Sequence, residues 1–232
     1  SRDAAGVFGA NFKLAILMNL VIQAFKYAAE PFFFRESGNK NSPELYARVM
    51  HAFIIFCSLL MIAISVNLEW MGPLFLRSAG YAEGLYIVPV LLMGYLLLGV
   101  YFNLSIWFKI TDKTQYSFWI TFIGALVSIA VVILLVPVYG FMGAALSTLA
   151  CYVLMSVICF VFGQKFYPIP YQTGKDLAYL LIAFGLSYLG FWFSTESGIL
   201  SFFLKNAFLI PFIILILVLE RKELSRFLAK KG

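Results

Sequence analysis

The chain has 232 residues, of which 62% are hydrophobic and only 12% are charged. A soluble domain carries about 25% charged residues and could not bury so many apolar side chains, so the composition excludes an ordinary soluble domain. The net charge of +6 does not indicate nucleic-acid binding, because the basic residues stand at the ends of apolar runs and form no continuous face. We therefore predict an all-α polytopic membrane protein whose surroundings are membrane lipids.

Seven apolar runs, each close to the roughly 20 residues that cross a bilayer as a helix, are separated by charged residues or by Gly and Pro. The predicted spans are 9–34, 47–66, 85–108, 117–136, 141–163, 177–194 and 199–219. The stretch at 67–84 mixes apolar and polar residues, which predicts a short segment lying in the membrane interface. The runs are continuous and lack the alternation of a membrane β-barrel.

The basic residues are divided unevenly between the two sides of these spans. Twelve of the 17 Lys and Arg residues lie in the 35–48, 109–116 and 164–176 connections and in the C-terminal tail. The opposite side holds only Arg2 and Arg77. The positive-inside rule makes the first group cytoplasmic, which predicts an external N-terminus. Because the chain starts at Ser1 with no signal sequence, we expect an odd number of further spans ahead of it.

The first span carries a stripe of four polar residues. Asn19, Gln23, Lys26 and Glu30 project within about 60° of one another at 100° per residue. Such a stripe on a spanning helix favours the lining of a cavity inside the bundle. The alternative is a structural role, with an internal Lys26–Glu30 ion pair and amide contacts to neighbouring helices. Pro31 should end or kink this helix just after Glu30.

Other polar and small residues have simpler interpretations. Arg35, Lys109 and Asp112 are candidates for a cytoplasmic gate or turn. His51 is the only histidine, and with no carboxylate or Cys beside it in the sequence we interpret it as structural. The fifth span carries two ridges of small residues that permit close helix packing; they comprise Gly140, Ala144 and Thr148, and Gly143, Ser147 and Cys151. Nothing here predicts a catalytic residue, a metal site or a cofactor.

Several phrases together resemble one family. AGVFGANFKLAILM and QAFKYAAEPFFFRESGNKNSPELYARVM resemble the start of the second lobe of bacterial polysaccharide flippases. NLSIWFKITDKTQYS, PVYGFMGAALSTLACYVLM and GQKFYPIPY resemble later turns and helices of the same proteins. The family is the lipid-linked oligosaccharide flippase branch of the multidrug/oligosaccharidyl-lipid/polysaccharide exporter superfamily. The resemblance covers about residues 6–175, and the last two spans are generic.

The resemblance implies a two-lobed exporter in which residues 1–194 form the second-lobe bundle of six spans. Residues 195–232 would form a final span and a basic cytoplasmic tail, and the N-terminal lobe of the same protein would be a partner. It also implies a carrier, not an enzyme, in the bacterial cytoplasmic membrane. Its substrate would be an undecaprenyl-diphosphate-linked oligosaccharide for O-antigen, lipopolysaccharide or capsule biosynthesis. A multidrug or other small-molecule exporter of the same superfamily is the alternative.

Overall fold

The chain is an all-α polytopic membrane protein, seen here in a computed structural model that describes residues 2–75, 84–193 and 198–221. The described helices are α1 (Arg2–Glu36), α2 (Ser42–Val66), α3 (Leu68–Phe75), α4 (Val88–Leu104), α5 (Ile106–Ile110), α6 (Gln115–Tyr139), α7 (Phe141–Phe166), α8 (Thr173–Trp192), α9 (Gly198–Asn206) and α10 (Leu209–Leu219). No strand occurs in these residues. In lipid a helix satisfies its own backbone hydrogen bonds, and these apolar sequences use that solution throughout.

Six stretches of the described residues are helical, long and apolar enough to cross a membrane. They are Asn11–Glu36, Ser42–Val66, Gly84–Ile110, Gln115–Tyr139, Phe141–Phe166 and Leu200–Leu219. The remaining predicted span corresponds to α8, a helix of 20 residues that is less apolar because it includes Lys175, Asp176 and several Gly, Ser and Tyr residues. The predicted interfacial segment includes α3, and its continuation at 76–83 lies outside the described residues. Residues 222–232, which make up most of the predicted basic tail, also lie outside them.

The first helix does not end at Pro31. α1 continues to Glu36 with Pro31 inside it. Of the two predicted outcomes, an end after Glu30 is therefore wrong, and a kink at Pro31 stays a prediction. Proline removes one backbone donor, but packing beyond it holds the last turns. Phe33 is buried in a T-shaped contact with Tyr46 of α2, with ring centroids 5.0 Å apart. The Tyr46 hydroxyl donates a hydrogen bond to the Phe33 carbonyl oxygen at 2.8 Å.

The centre of the bundle is α4, which is almost wholly apolar and buried and packs against α1, α2 and α7. The α6–α7 pair packs beside it, while α8 packs against α2 on the other side. α4 ends at Leu104, and α5 continues the path after Ser105. The Ser105 hydroxyl donates to the carbonyl oxygen of Phe102 at 2.8 Å, which satisfies one of the free carbonyl groups at the helix end.

The small residues of α7 bring it close to two helices. A Cβ built on Gly143 would lie 2.6 Å from backbone atoms of Leu135 in α6, so only glycine permits this approach. On the α4 side, a Cβ on Gly94 would lie 3.4 Å from the Thr148 methyl group. Ser147 is buried, and its hydroxyl donates to the carbonyl oxygen of Ala144 within the same helix at 2.9 Å.

Gly140 serves the chain reversal between α6 and α7 and not the packing ridge. Its φ of 54° and ψ of −122° lie in a region that residues with a Cβ rarely adopt. A Cβ at this position would meet nothing within 4 Å. The prediction that Gly140 packs against another helix is therefore wrong, because within the described residues no other helix comes near this turn.

Candidate functional site

A cavity of about 520 Å³ lies between α1, the α4–α5 segment, α6 and α7. Its wall combines apolar side chains with two ammonium groups and several hydroxyl groups. The polar lining residues are Lys26, Lys109, Tyr101, Ser105, Ser117, Thr121, Ser128 and Tyr152. Ammonium groups attract anions, and hydroxyl groups both donate and accept hydrogen bonds. The cavity is therefore suited to a ligand that combines negative charge with many hydroxyl groups.

Lys26 of the predicted stripe contributes its charge to this cavity. The ammonium nitrogen lies 4.5 Å from the centroid of the Phe102 ring of α4, a distance at which the ring quadrupole attracts a cation. No carboxylate of the described residues forms an ion pair with it. The charge of Lys26 is thus held in place by an aromatic face and is not cancelled by a neighbouring acid.

Glu30 is paired with Lys109, so the alternative of an internal Lys26–Glu30 pair is not the arrangement seen. The ammonium nitrogen of Lys109 lies 2.7 Å from Oε1 of Glu30, and the two side chains are 23% and 34% exposed. This ion pair connects α1 to α5. Both residues also line a smaller pocket that adjoins Lys26, so three charged groups border the same region.

The N-terminal half of the stripe makes contacts along its own helix. The side-chain amide of Gln23 donates a hydrogen bond to Oδ1 of Asn19 at 3.3 Å. Neither residue is among those that line the large cavity or the smaller pocket beside it. The stripe therefore divides into an amide pair, Asn19 and Gln23, and two charged residues, Lys26 and Glu30, that border the cavity or the pocket beside it.

Of the three candidates for a cytoplasmic gate or turn, only Lys109 borders the cavity. Asp112 occupies the turn between α5 and α6 with a φ of 55°, a left-handed conformation that Asp tolerates better than most residues. Arg35 is exposed, and its Nε lies 3.4 Å from Oε1 of its neighbour Glu36. Asp112 thus shapes the turn, and Arg35 stays at the surface.

Comparisons with protein-family models, with curated proteins and with solved structures find no match to this chain. The geometry of the chain itself is therefore what bears on its function.

A second polar centre surrounds His51, on the other side of the bundle from the cavity. Its Nδ1 lies 2.5 Å from Oδ1 of Asp176, at the start of α8. Its Nε2 lies 3.2 Å from Oε1 of Glu220, just after α10, within ion-pair range but not aligned as a hydrogen bond. All three side chains are buried. The fold therefore gives His51 the carboxylate neighbours that its sequence surroundings lack, and the interpretation of His51 as a structural residue stays a prediction.

Two further groups of α8 complete this centre. Oε1 of Glu220 accepts a hydrogen bond from the Lys175 ammonium at 3.2 Å and from the Tyr179 hydroxyl at 3.1 Å. Burial by itself would raise the pKa of the Glu220 carboxyl, but the hydrogen bond from Lys175 and the nearby His51 outweigh burial and lower that pKa. Glu220 is therefore ionised at neutral pH.

A matching set of polar contacts joins α2 to α9 at the opposite end of the bundle. The side-chain amides of Asn67 and Asn206 donate to each other at 3.0 and 3.1 Å. The buried ammonium group of Lys205 lies 2.6 Å from Oε1 of Glu69. These contacts fasten α9 to the end of α2 and the start of α3, while the centre at His51 holds α8 and the end of α10 to the start of α2.

Sequence reasoning missed both sets because their members are distant along the chain. Asp176 lies 125 positions from His51, and no local pattern connects them. One signal was available, since His51, Asp176 and Glu220 all stand near ends of predicted spans that the charge distribution assigns to the same side of the membrane.

Proposed function

We propose that this chain is the second lobe and C-terminal helices of a carrier that moves an undecaprenyl-diphosphate-linked oligosaccharide across the bacterial cytoplasmic membrane. The product would be used for surface polysaccharide such as O-antigen, lipopolysaccharide or capsule. The observation that carries the proposal is the cavity of about 520 Å³ among apolar helices, with Lys26 as a charge without an acidic partner in the described residues.

The lining chemistry suits the two polar parts of such a substrate. Lys26 provides charge-assisted hydrogen bonds to a diphosphate or to an acidic sugar, and Lys109 can add the donors that its pair with Glu30 leaves unused. The hydroxyl groups of Tyr101, Ser117 and Thr121 can exchange hydrogen bonds with sugar hydroxyls. The polyprenyl chain would stay in the lipid, and the cavity would open to each side in turn. No covalent step is required, so the proposal describes a carrier and not an enzyme.

The proposed orientation places the N-terminus of this chain in the periplasm and its C-terminus in the cytoplasm. The contacts from Lys109 to Glu30 and from His51 to Asp176 and Glu220 bring the basic connections to one end of the bundle. By the positive-inside rule that end is cytoplasmic. In the proposed carrier the first lobe faces the cavity and closes it.

The test uses deletion of the encoding gene in its own cell, followed by complementation with the full gene. We expect the deletion to remove surface polysaccharide and to accumulate the lipid-diphosphate oligosaccharide. Lys26→Gln should then restore little export at normal membrane abundance, because a hydrogen bond to a charged group contributes about 1.5–3 kcal/mol, equivalent to a loss of about tenfold or more in affinity. Lys26→Arg keeps the charge and should restore most export.

Lys13→Gln is the matched control, because Lys13 lies on the same helix but is exposed and does not line the cavity. It should export normally. Unchanged polysaccharide in the deletion strain, or full export by Lys26→Gln, would refute the proposal. Unchanged polysaccharide together with new sensitivity to cationic drugs would instead identify a drug exporter.

A further inference from the structure

We propose that His51, Asp176 and Glu220 form a proton-binding site that fastens α8 and α10 to α2, and that loss of the proton loosens these two helices. The three residues come from three different elements, α2, the first turn of α8 and the end of α10. The site is separate from the cavity, and none of the three residues lines it. The inference does not depend on what the cavity transports.

The geometry favours an extra proton on the histidine ring. Each ring nitrogen faces a carboxylate oxygen, at 2.5 Å for Asp176 and 3.2 Å for Glu220. Neutral imidazole has one N–H and one bare nitrogen, and a bare nitrogen would place its lone pair against a carboxylate. An imidazolium ring donates from Nδ1 to Asp176 and places its second N–H 3.2 Å from Glu220, within ion-pair range but not aligned as a hydrogen bond. Binding of one proton therefore converts a repulsion into an attraction that spans three helical elements.

The charge balance of the site points the same way. With both acids ionised, Lys175 and the imidazolium ring together balance the two carboxylates, whereas a neutral ring would leave one net negative charge in the site. Oδ2 of Asp176 and Oε2 of Glu220 are buried and have no hydrogen-bond partner among the described residues. The carboxylates consequently depend on His51 and Lys175 for compensation, and an uncompensated buried charge is costly.

Few other charged or titratable groups of the described residues face this site. α8 contributes Tyr179, whose ring contacts His51 at a centroid distance of 5.6 Å, and Tyr171 precedes α8 and interacts with Asp176. α4, which also packs against α2, has no acidic or basic side chain. In α1 the acid Glu30 is paired with Lys109. After Glu220, Arg221 is exposed.

A proton explains the site better than a metal ion. Within residues 2–75, 84–193 and 198–221, no three His, Cys, Asp or Glu side chains are arranged to hold a metal. The Lys175 ammonium also occupies the Glu220 oxygen nearest the ring, and a cation there would be repelled. Oε1 of Glu220 also accepts a hydrogen bond from the Tyr179 hydroxyl. Because this oxygen already has two donors, the proton binds at the histidine ring.

The sign of the pH effect follows from the proton count. Above the ordinary histidine pKa of about 6.5, the unfolded chain has a neutral ring, whereas the assembled site retains the extra proton. Stability must then fall as the pH rises above about 6.5, because the folded state binds more protons than the unfolded state. A full one-proton difference changes the folding equilibrium constant tenfold per pH unit.

The test compares wild type with Asp176→Asn and with Glu44→Gln in the full chain, reconstituted in lipid nanodiscs, from pH 6.5 to 9. Glu44→Gln removes an exposed carboxylate from the first turn of the same helix α2 and serves as the control. Hydrogen exchange of residues 209–221 is corrected for the pH dependence of chemical exchange. Protection should fall up to tenfold per pH unit in wild type and Glu44→Gln, and should stay nearly flat in Asp176→Asn.

A second measurement needs no substitution. Since His51 is the only histidine, ¹⁵N-labelled histidine gives the nitrogen signals of this one ring. Two N–H signals at pH 7 that convert to one N–H and one bare nitrogen as α10 loses protection would support the site. A ring with a bare nitrogen at pH 7, or equal pH dependence in wild type and Asp176→Asn, would overturn the proposal.

Discussion

Replacing Gly143 with Ala should destabilise the bundle, because α6 and α7 touch backbone to backbone at this residue. The added Cβ would lie 2.6 Å from both the carbonyl carbon and the carbonyl oxygen of Leu135. Carbon atoms in contact prefer about 3.5–4 Å, so the helices must separate by close to 1 Å. A backbone cannot rotate out of the way as a side chain can. Overpacking of this kind costs about 1–3 kcal/mol.

Gly185→Ala in α8 is the matched control. A Cβ at Gly185 would meet nothing within 4 Å, and Ala is favoured over Gly inside a helix by about 0.8–1.0 kcal/mol. The same chemical change should therefore stabilise the protein at Gly185 and destabilise it at Gly143. Gly124→Ala gives an intermediate case, because the nearest atoms belong to the flexible side chain of Met155.

Unfolding of the purified protein by SDS in mixed micelles, followed through the fluorescence of its four Trp residues, gives the free energies of unfolding. Gly143→Ala should unfold at a lower SDS fraction than wild type, and Gly185→Ala at a higher one. If Gly143→Ala equals wild type or Gly185→Ala is the less stable of the two, the close approach of α6 and α7 is not the source of the effect.

Two further predictions concern charge and topology. Glu30→Lys and Lys109→Glu should each lower the free energy of unfolding by about 1 kcal/mol, because the ion pair is partly exposed. The double exchange should restore most of this loss. Additive losses in the SDS assay would contradict the pairing. Cysteines at Lys40 and Asp112 should be protected in intact cells from an impermeant thiol reagent. A cysteine at Tyr139, which is exposed beside the turn between α6 and α7, should be labelled. The reverse pattern would show the opposite orientation.

The helical class and most span positions could be predicted because apolar runs in lipid have one dominant solution, the α-helix. The residue at which α1 ends could not be predicted in this way. Pro31 is a local signal for a helix end, but Phe33 packs on Tyr46 and holds the helix to Glu36. A contact with a residue of the next helix outweighs a preference encoded by one residue, and the sequence does not state which contacts will form.

In the candidate site, too, the features set by one helix could be predicted and the contacts between helices could not. The periodicity of α1 predicts that Lys26 and Glu30 share a face, and both do border the region beside the cavity. Periodicity does not reveal that Glu30 is paired with Lys109 of α5, because that distance depends on how α1 and α5 cross. Sequence neighbours at i and i+4 can pair, yet a partner on another helix took precedence.

The cavity and the proton site occupy different helices, which allows their effects to be separated. Cavity residues come from α1 and α4 to α7, whereas the proton site joins α2 to α8 and α10. Lys26 has no ion-pair partner in the described residues, so removing its charge leaves no buried acid behind. Removing His51 would leave Asp176 buried beside Glu220 with only Lys175 as a cation, which is costly. The charge of Lys26 can therefore bind a ligand, whereas the charge of His51 stabilises the contacts between α2, α8 and α10.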